Sequence, residues 1–306
     1  METVEQRIQQ VCEDREHGSR WLVKETITIL RDLARDEQRP ASERLRLLAS
    51  GARQIVQARP AMGALSSAVG HVIQAHEEGL EAMGKAAQQL LDDYASATGR
   101  MAEHARPYVK GRLMTCSISG TVLEVLVALK DQIEHVTVLE GRPRYEGRAM
   151  AQALHEKGIA VTIITDAQAD IFLPQCQGVV VGADSLLING DLLNKAGTTL
   201  LAWAARGHDV PFYVLSETLK ISPKRWHEHD PARIASNLAL LEEKEPQEVF
   251  ADAPSGIQVR NFYFDHTPYR LLTHVITENG LLDRRRIREI AVTTRANERL
   301  LSKWHP

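Results

Sequence analysis

Beyond Pro107 the chain settles into a rhythm in which short apolar runs alternate with helical stretches. Apolar residues 113–115 lead into a helical stretch at 121–130, and residues 136–139 lead into one at 145–156. Runs at 160–164, 178–181 and 211–215 follow, with an Ala-rich helical stretch at 196–206 between the last two. Strands separated by helices of about 10–15 residues predict βαβ units and a mostly parallel, doubly wound sheet. Every strand of such a sheet ends on the same edge, where ligands bind. The residues that close these strands are therefore the first candidates for chemistry.

Residues 1 to 106 read differently. Leu22, Thr26, Ile29, Leu30 and Leu33 recur at helical spacing. Pro40-Ala41-Ser42 before Glu43 reads as a helix start, and a longer helix over 77–106 aligns Leu80, Met83, Ala87, Leu90, Leu91 and Tyr94. The fold class is α/β: an N-terminal helical domain (1–106), then an α/β domain (107–306) carrying most of the active site. Within the latter, polar residues 216–249 form an excursion at the sheet edge, whose early part follows a strand end and can cover the site. Residues 262–264 return to the sheet, and a helix near 283–290 closes the chain.

The formal charge of −3 over 306 residues predicts no strong attraction to nucleic acid or to an anionic membrane. Cys12, Cys116 and Cys176 are widely spaced without C-x-x-C pairing, which argues against a disulfide framework or a cysteine zinc site and for a reducing compartment. METVEQRIQQ is charged throughout, unlike a signal peptide, and no run approaches the roughly 18 apolar residues of a membrane span. A cytoplasmic location is expected. Among the 12 histidines none has metal-ligand spacing, since His227 and His229 are i, i+2 in a polar loop, so no metal is expected.

Cys116 closes the first strand before Ser117-Ile118-Ser119-Gly120 and a helix. The helix dipole there favours a thiolate, although a buried cysteine is also an ordinary core residue. Asp184 follows the apolar run 178–181 and Gly182-Ala183, where a buried carboxylate needs a partner or a task. Asp191 follows the turn Asn189-Gly190, where a local structural role is as good a reading. Asn194 and Lys195 precede a helix start suited to an anion. Arg142, in Glu140-Gly141-Arg142-Pro143, sits on a strand-end loop suited to phosphate or to a neighbouring carboxylate. Arg59-Pro60 and His17-Gly18-Ser19 are weaker helix-terminal candidates.

The segments EGRPRYEGRAMAQAL, GVVVGADSLLINGDLLNKAGTTLLA, VPFYVLSETLKISP and NFYFDHTPYRLLTHVITENG together resemble the initiation factor 2B alpha/beta/delta-like family. That family includes ribose-1,5-bisphosphate isomerase, methylthioribose-1-phosphate isomerase and regulatory subunits of a translation exchange factor. The resemblance covers nearly the whole chain. It implies a Rossmann-like C-terminal domain, a homodimer or higher homo-oligomer, and Cys116 with Asp184 as a catalytic pair. It further implies sugar-phosphate contacts from Arg59, Arg142, Asn194 and Lys195, with Lys220 of the third segment and Gly18 and Ser19 beside them. His17-Gly18-Ser19 stands where the ribose-bisphosphate branch carries an Arg-Gly-Ala-type loop, which leaves substrate choice open.

The expected activity is aldose–ketose isomerisation of a phosphorylated pentose, ribose 1,5-bisphosphate to ribulose 1,5-bisphosphate, without a redox cofactor or metal. Asp184 would be the acid and Cys116, as thiolate, the base, with exchange of these parts open. The alternatives are a regulatory subunit that binds a sugar phosphate or nucleotide without turnover, and a methylthioribose-1-phosphate isomerase.

Overall fold

The computed structural model describes residues 3–14, 18–59, 62–228 and 230–304. Its first layer is helical: α1 (Val4–Glu13), α2 (Ser19–Arg35), α3 (Ala41–Ala58), α4 (Gly63–Ile73) and α5 (Leu80–Ala105). Pro40 is the N-cap of α3, as a fixed φ before a helix suggests. The apolar stripe of α2 lies buried against α4 and α5, with Leu22, Ile27, Leu30 and Leu33 at its centre. Helix α4 is buried along nearly its whole length and forms the hub of this layer.

The second layer alternates strands and helices: β1 (Gly111–Cys116), α6 (Gly120–Ala128), β2 (Ile133–Leu139), α7 (Glu146–Glu156), β3 (Val161–Ile164), α8 (Ala169–Phe172) and β4 (Gly178–Val181). There follow β5 (Ser185–Leu187), β6 (Leu192–Lys195), α9 (Thr198–Gly207), β7 (Phe212–Leu215), β8 (Ile221–Ser222), α10 (Ile234–Ala239), β9 (Phe264–Thr267), β10 (His274–Thr277), β11 (Gly280–Leu282) and α11 (Arg284–Lys303). Among the described residues, seven strands form one sheet in the order β11-β10-β7-β4-β1-β2-β3, parallel except for the β10–β11 hairpin. Strand β4 is buried on both faces, which is why its sequence is an uninterrupted apolar run.

The chain winds outward from β1 through β2 to β3, then returns to the other side of β1 as β4 and continues through β7. The topological switch point therefore lies between β1 and β4, and a crevice opens there. Cys116 closes one of these strands and Asp184 lies three residues beyond the other.

Two features exceed the sequence reading. A second sheet, β8-β5-β6-β9, sits on the first, built from a β5–β6 hairpin whose Asn189-Gly190 turn needs the positive φ of Gly190. The closing helix continues to Lys303 and packs on α4, with Leu301 and Trp304 in the core of the helical layer. Among the described residues no helix is long and apolar enough to cross a membrane.

Candidate active site

A cavity of about 1270 Å³ opens over the switch point and is walled by both layers. Cys116, Gly182, Ala183 and Asp184 form its floor at the strand ends. Gly182 makes this floor possible: a Cβ there would fall 2.7 Å from Oγ of Ser119, the residue whose side chain caps α6. Glycine lets the end of β4 lie against the loop that carries Cys116.

The lining is rich in cations. Arg20, Lys24 and Arg59 come from the helical layer, and Arg144, Lys195, Lys220 and Lys244 from the α/β layer. These seven face five acids, Glu13, Asp14, Glu146, Asp184 and Glu242. The balance favours an anionic occupant. Nε of Arg59 is buried with no hydrogen-bond partner among the described residues, an expensive state that a bound oxyanion would relieve.

Burial pushes Asp184 up to about 6, against the pull of Lys220 and Lys195 and with the help of Glu242. Lys220 is itself 2% exposed and pairs at 3.2 Å with Glu217, which is 1% exposed. Glu217 also accepts a hydrogen bond from Thr121 Oγ1 at 2.7 Å and faces Arg20 at 3.9 Å. This buried cluster joins α2, the start of α6 and the turn after β7 at the edge of the cavity.

Cys116 is 8% exposed, and burial pushes its thiol up to about 12, against the pull of the Thr198 hydrogen bond and Lys195 and with the help of Asp265 and Asp166. The expected dipole-stabilised thiolate is corrected by this setting: at this strand end desolvation outweighs the helix terminus. The setting favours the neutral thiol, whose Sγ lies 3.6 Å from Thr198 Oγ1, within hydrogen-bond reach.

The N-terminus of α9 also departs from expectation. Asp265 accepts hydrogen bonds from the backbone N–H of Gly197 at 2.8 Å and of Thr199 at 3.0 Å. The anion suited to this helix start is thus a side chain of the protein, delivered by β9 in register with Asn194. Burial still pushes Asp265 up to about 6. Lys195 is held by Glu146 at 2.5 Å and lies over the Tyr263 ring, and Asn194 donates to Thr198.

Gly18, Ser19, Arg59, Cys116, Asp184, Asn194, Lys195 and Lys220 all line the cavity. Arg142 is not among the lining residues, a correction to its expected phosphate contact. Its guanidinium donates to Tyr145 OH and to the Val249 carbonyl, so it ties its loop to the long excursion. Arg144, two residues on, lines the cavity instead. His17, Pro60 and His229 lie outside the described residues. Gly18 is the N-cap of α2 without a side-chain cap bond. Asp191 is structural, as its place after the turn allows: it accepts from Asn189, His266 and the Tyr269 N–H.

The sequence reading passed over Arg144, Thr198, Lys244 and Tyr263. The excursion reaches the cavity through its late residues, Glu242 and Lys244, paired at 3.0 Å, rather than through its early part alone. No local pattern distinguishes these from solvated charges.

The model of the Initiation factor 2 subunit family matches residues 15–284. The chain belongs to that family. Ribose 1,5-bisphosphate isomerase of Archaeoglobus fulgidus is 31% identical over 268 residues, covering 84% of this chain and 82% of that one. Methylthioribose-1-phosphate isomerase of Thermus thermophilus is 32% identical over 215 residues, 64% of this chain and 62% of that one. Among solved structures, the translation initiation factor eIF-2B of Pyrococcus horikoshii OT3 superposes with a TM-score of 0.76 at 27% identity, covering 92% of this chain and 97% of that one. The family thus holds proteins named as isomerases and as translation factors on one fold, so function has to be argued from the cavity.

Proposed function

We propose that the chain is a sugar-phosphate isomerase that converts ribose 1,5-bisphosphate to ribulose 1,5-bisphosphate. The observation that carries this reading is a thiol and a carboxylate at the switch point of one cavity, beneath cations supplied by both layers. The A. fulgidus relative bears the name of this activity. A bisphosphate needs cations at both ends, and the cavity draws cations from both layers, Arg59 with its unpaired Nε among them.

The 1-phosphate keeps the sugar a closed ring, so the ring oxygen must be protonated before the chain can open. Cys116, held as a thiol, donates that proton; the C1–O4 bond breaks, leaving a thiolate and a C4 hydroxyl. Asp184, ionised above about pH 6, takes the C2 proton, giving an enol phosphate. Asp184 then returns the proton to C1, while the C2 hydroxyl proton passes to the thiolate and leaves the C2 carbonyl. Both groups end as they began.

The pair is thereby assigned the reverse of its sequence expectation. Burial pushes the thiol up to about 12 and Asp184 only to about 6, so a neutral thiol beside an ionised carboxylate is the favoured distribution at neutral pH. The site must exclude water from the enol phosphate, which would otherwise lose its phosphate.

The test is thermal stabilisation by ribose 1,5-bisphosphate and by methylthioribose 1-phosphate, followed by product analysis with the parent, Cys116→Ser and Asp184→Asn. Stabilisation of all three proteins, with ketose formed by the parent alone, is the expected result. Stabilisation without turnover of any phosphorylated pentose by the parent would replace the isomerase with a binding subunit.

A further inference from the structure

Thr198 opens α9 beneath the cavity, fully buried, and its Oγ1 stands 3.6 Å from Cys116 Sγ. A hydroxyl has one proton to give and two lone pairs to receive. The proton of Thr198 goes to the Lys195 carbonyl at 2.6 Å. One lone pair receives the Asn194 amide, whose Nδ2 is 3.0 Å away. Because the hydroxyl proton is committed, only the NH₂ end of Asn194 can face it. What remains for the sulfur is a lone pair. A thiol satisfies that geometry by donating, whereas a thiolate, an acceptor, would face an acceptor.

We propose that Thr198 is a positioning residue that holds Cys116 as a neutral, oriented proton donor and so fixes which member of the Cys116–Asp184 pair is the acid. The word acid rests on the isomerase reading; the protonation state and orientation of the thiol do not. The charges around the sulfur bear on the same point. Asp265 on β9 and Asp166 beyond β3 oppose ionisation, and Lys195 on β6 favours it while engaged with Glu146. A hydrogen bond donated by Thr198 would favour ionisation too, but its proton is already given to the Lys195 carbonyl. The positive end of α9, which would otherwise favour a thiolate, is neutralised by Asp265 on the Gly197 and Thr199 N–H groups.

The experiment measures the pH dependence of Cys116 alkylation by iodoacetamide in the full chain. Peptide mass spectrometry separates Cys116 from Cys12 and Cys176. Thr198→Val removes the acceptor at nearly constant volume and frees the Asn194 amide to donate to the sulfur. Its Cys116 should therefore ionise at lower pH than the parent's and alkylate about tenfold faster at pH 8, one pH unit being a factor of ten. Thr198→Ser should return the parent value. Thr198→Ala, which adds no bulk, gives the same reading should valine disturb packing.

In turnover assays Thr198→Val should lower kcat about 10- to 100-fold with KM little changed. An ionisation that moves to higher pH, or stays unmoved, in both Thr198→Val and Thr198→Ala overturns the proposal, for Thr198 would then donate to a thiolate or have no hold on the thiol. Absence of turnover in the parent counts against the isomerase reading alone, because the alkylation shift is read without substrate.

Discussion

Two aspartates bracket the β5–β6 hairpin and meet opposite fates. Asp191, after the Asn189-Gly190 turn, accepts from Asn189 Nδ2 at 2.6 Å, His266 Nε2 at 2.9 Å and the Tyr269 N–H at 3.0 Å. Burial pushes its carboxyl up, but these donors outweigh burial and hold it below the ordinary range. Asp184, before β5, spends its backbone N–H on the Leu193 carbonyl and turns its side chain to the cavity, where burial prevails and holds it near 6. The difference is one of donors. A carboxylate given its hydrogen bonds by the fold is cement, and one left to be satisfied by an occupant is a reagent.

The sharpest way to break this comparison is to neutralise each acid in turn. Asp184→Asn should cut turnover about 10³-fold. The same change should stabilise the fold at pH 7–8. The folded-state value of Asp184 is raised, to about 6 from 3.8, so the folded protein prefers it protonated. Its contribution is favourable below the unfolded value and is lost as pH rises through 6, by at most about 3 kcal/mol. Thermal melts of parent and variant should thus differ at pH 8 and converge near pH 4. Asp191→Ala should do the opposite, costing about 2–3 kcal/mol in urea unfolding through the stranded donors while kcat per folded molecule stays within about threefold.

Smaller effects sharpen the contrast. The rate at saturating ribose 1,5-bisphosphate should fall about tenfold per pH unit below about 6, as Asp184 gains its proton, and show no alkaline decline through pH 9, since Cys116 stays a thiol there. Steady-state kinetics should separate the two arginines. Arg59→Ala should raise KM about tenfold or more through a lost charged hydrogen bond, and Arg142→Ala, outside the lining, by less than about threefold.

The parallel sheet is legible in the sequence because its central strands β4 and β7 are buried on both faces and its strands appear as apolar runs between helices. That rhythm alone places residues 116 and 184 at neighbouring strand ends once β4 returns beside β1. The second sheet is not legible: β5 has three residues and β8 two, too short for a periodicity to show. The thiolate expectation weighed a helix terminus, which is local and visible, against an ordinary buried cysteine, but could not see the Thr198 hydroxyl, which arrives from 82 residues away. For the same reason the start of α9 looked open until β9 brought Asp265 onto it, and nothing in 140–144 says which of two arginines turns inward.

The central claim is that Cys116 and Asp184 divide acid and base between them over one sugar phosphate. Its most direct test is incubation of ribose 1,5-bisphosphate with the enzyme in deuterium oxide, followed by proton and phosphorus NMR. The account requires ribulose 1,5-bisphosphate carrying solvent deuterium at C1 in at least part of the product, formed by the parent and not by Asp184→Asn. Ketose formed by Asp184→Asn at the parent's rate, or a parent that binds the sugar and returns it unchanged, would contradict it.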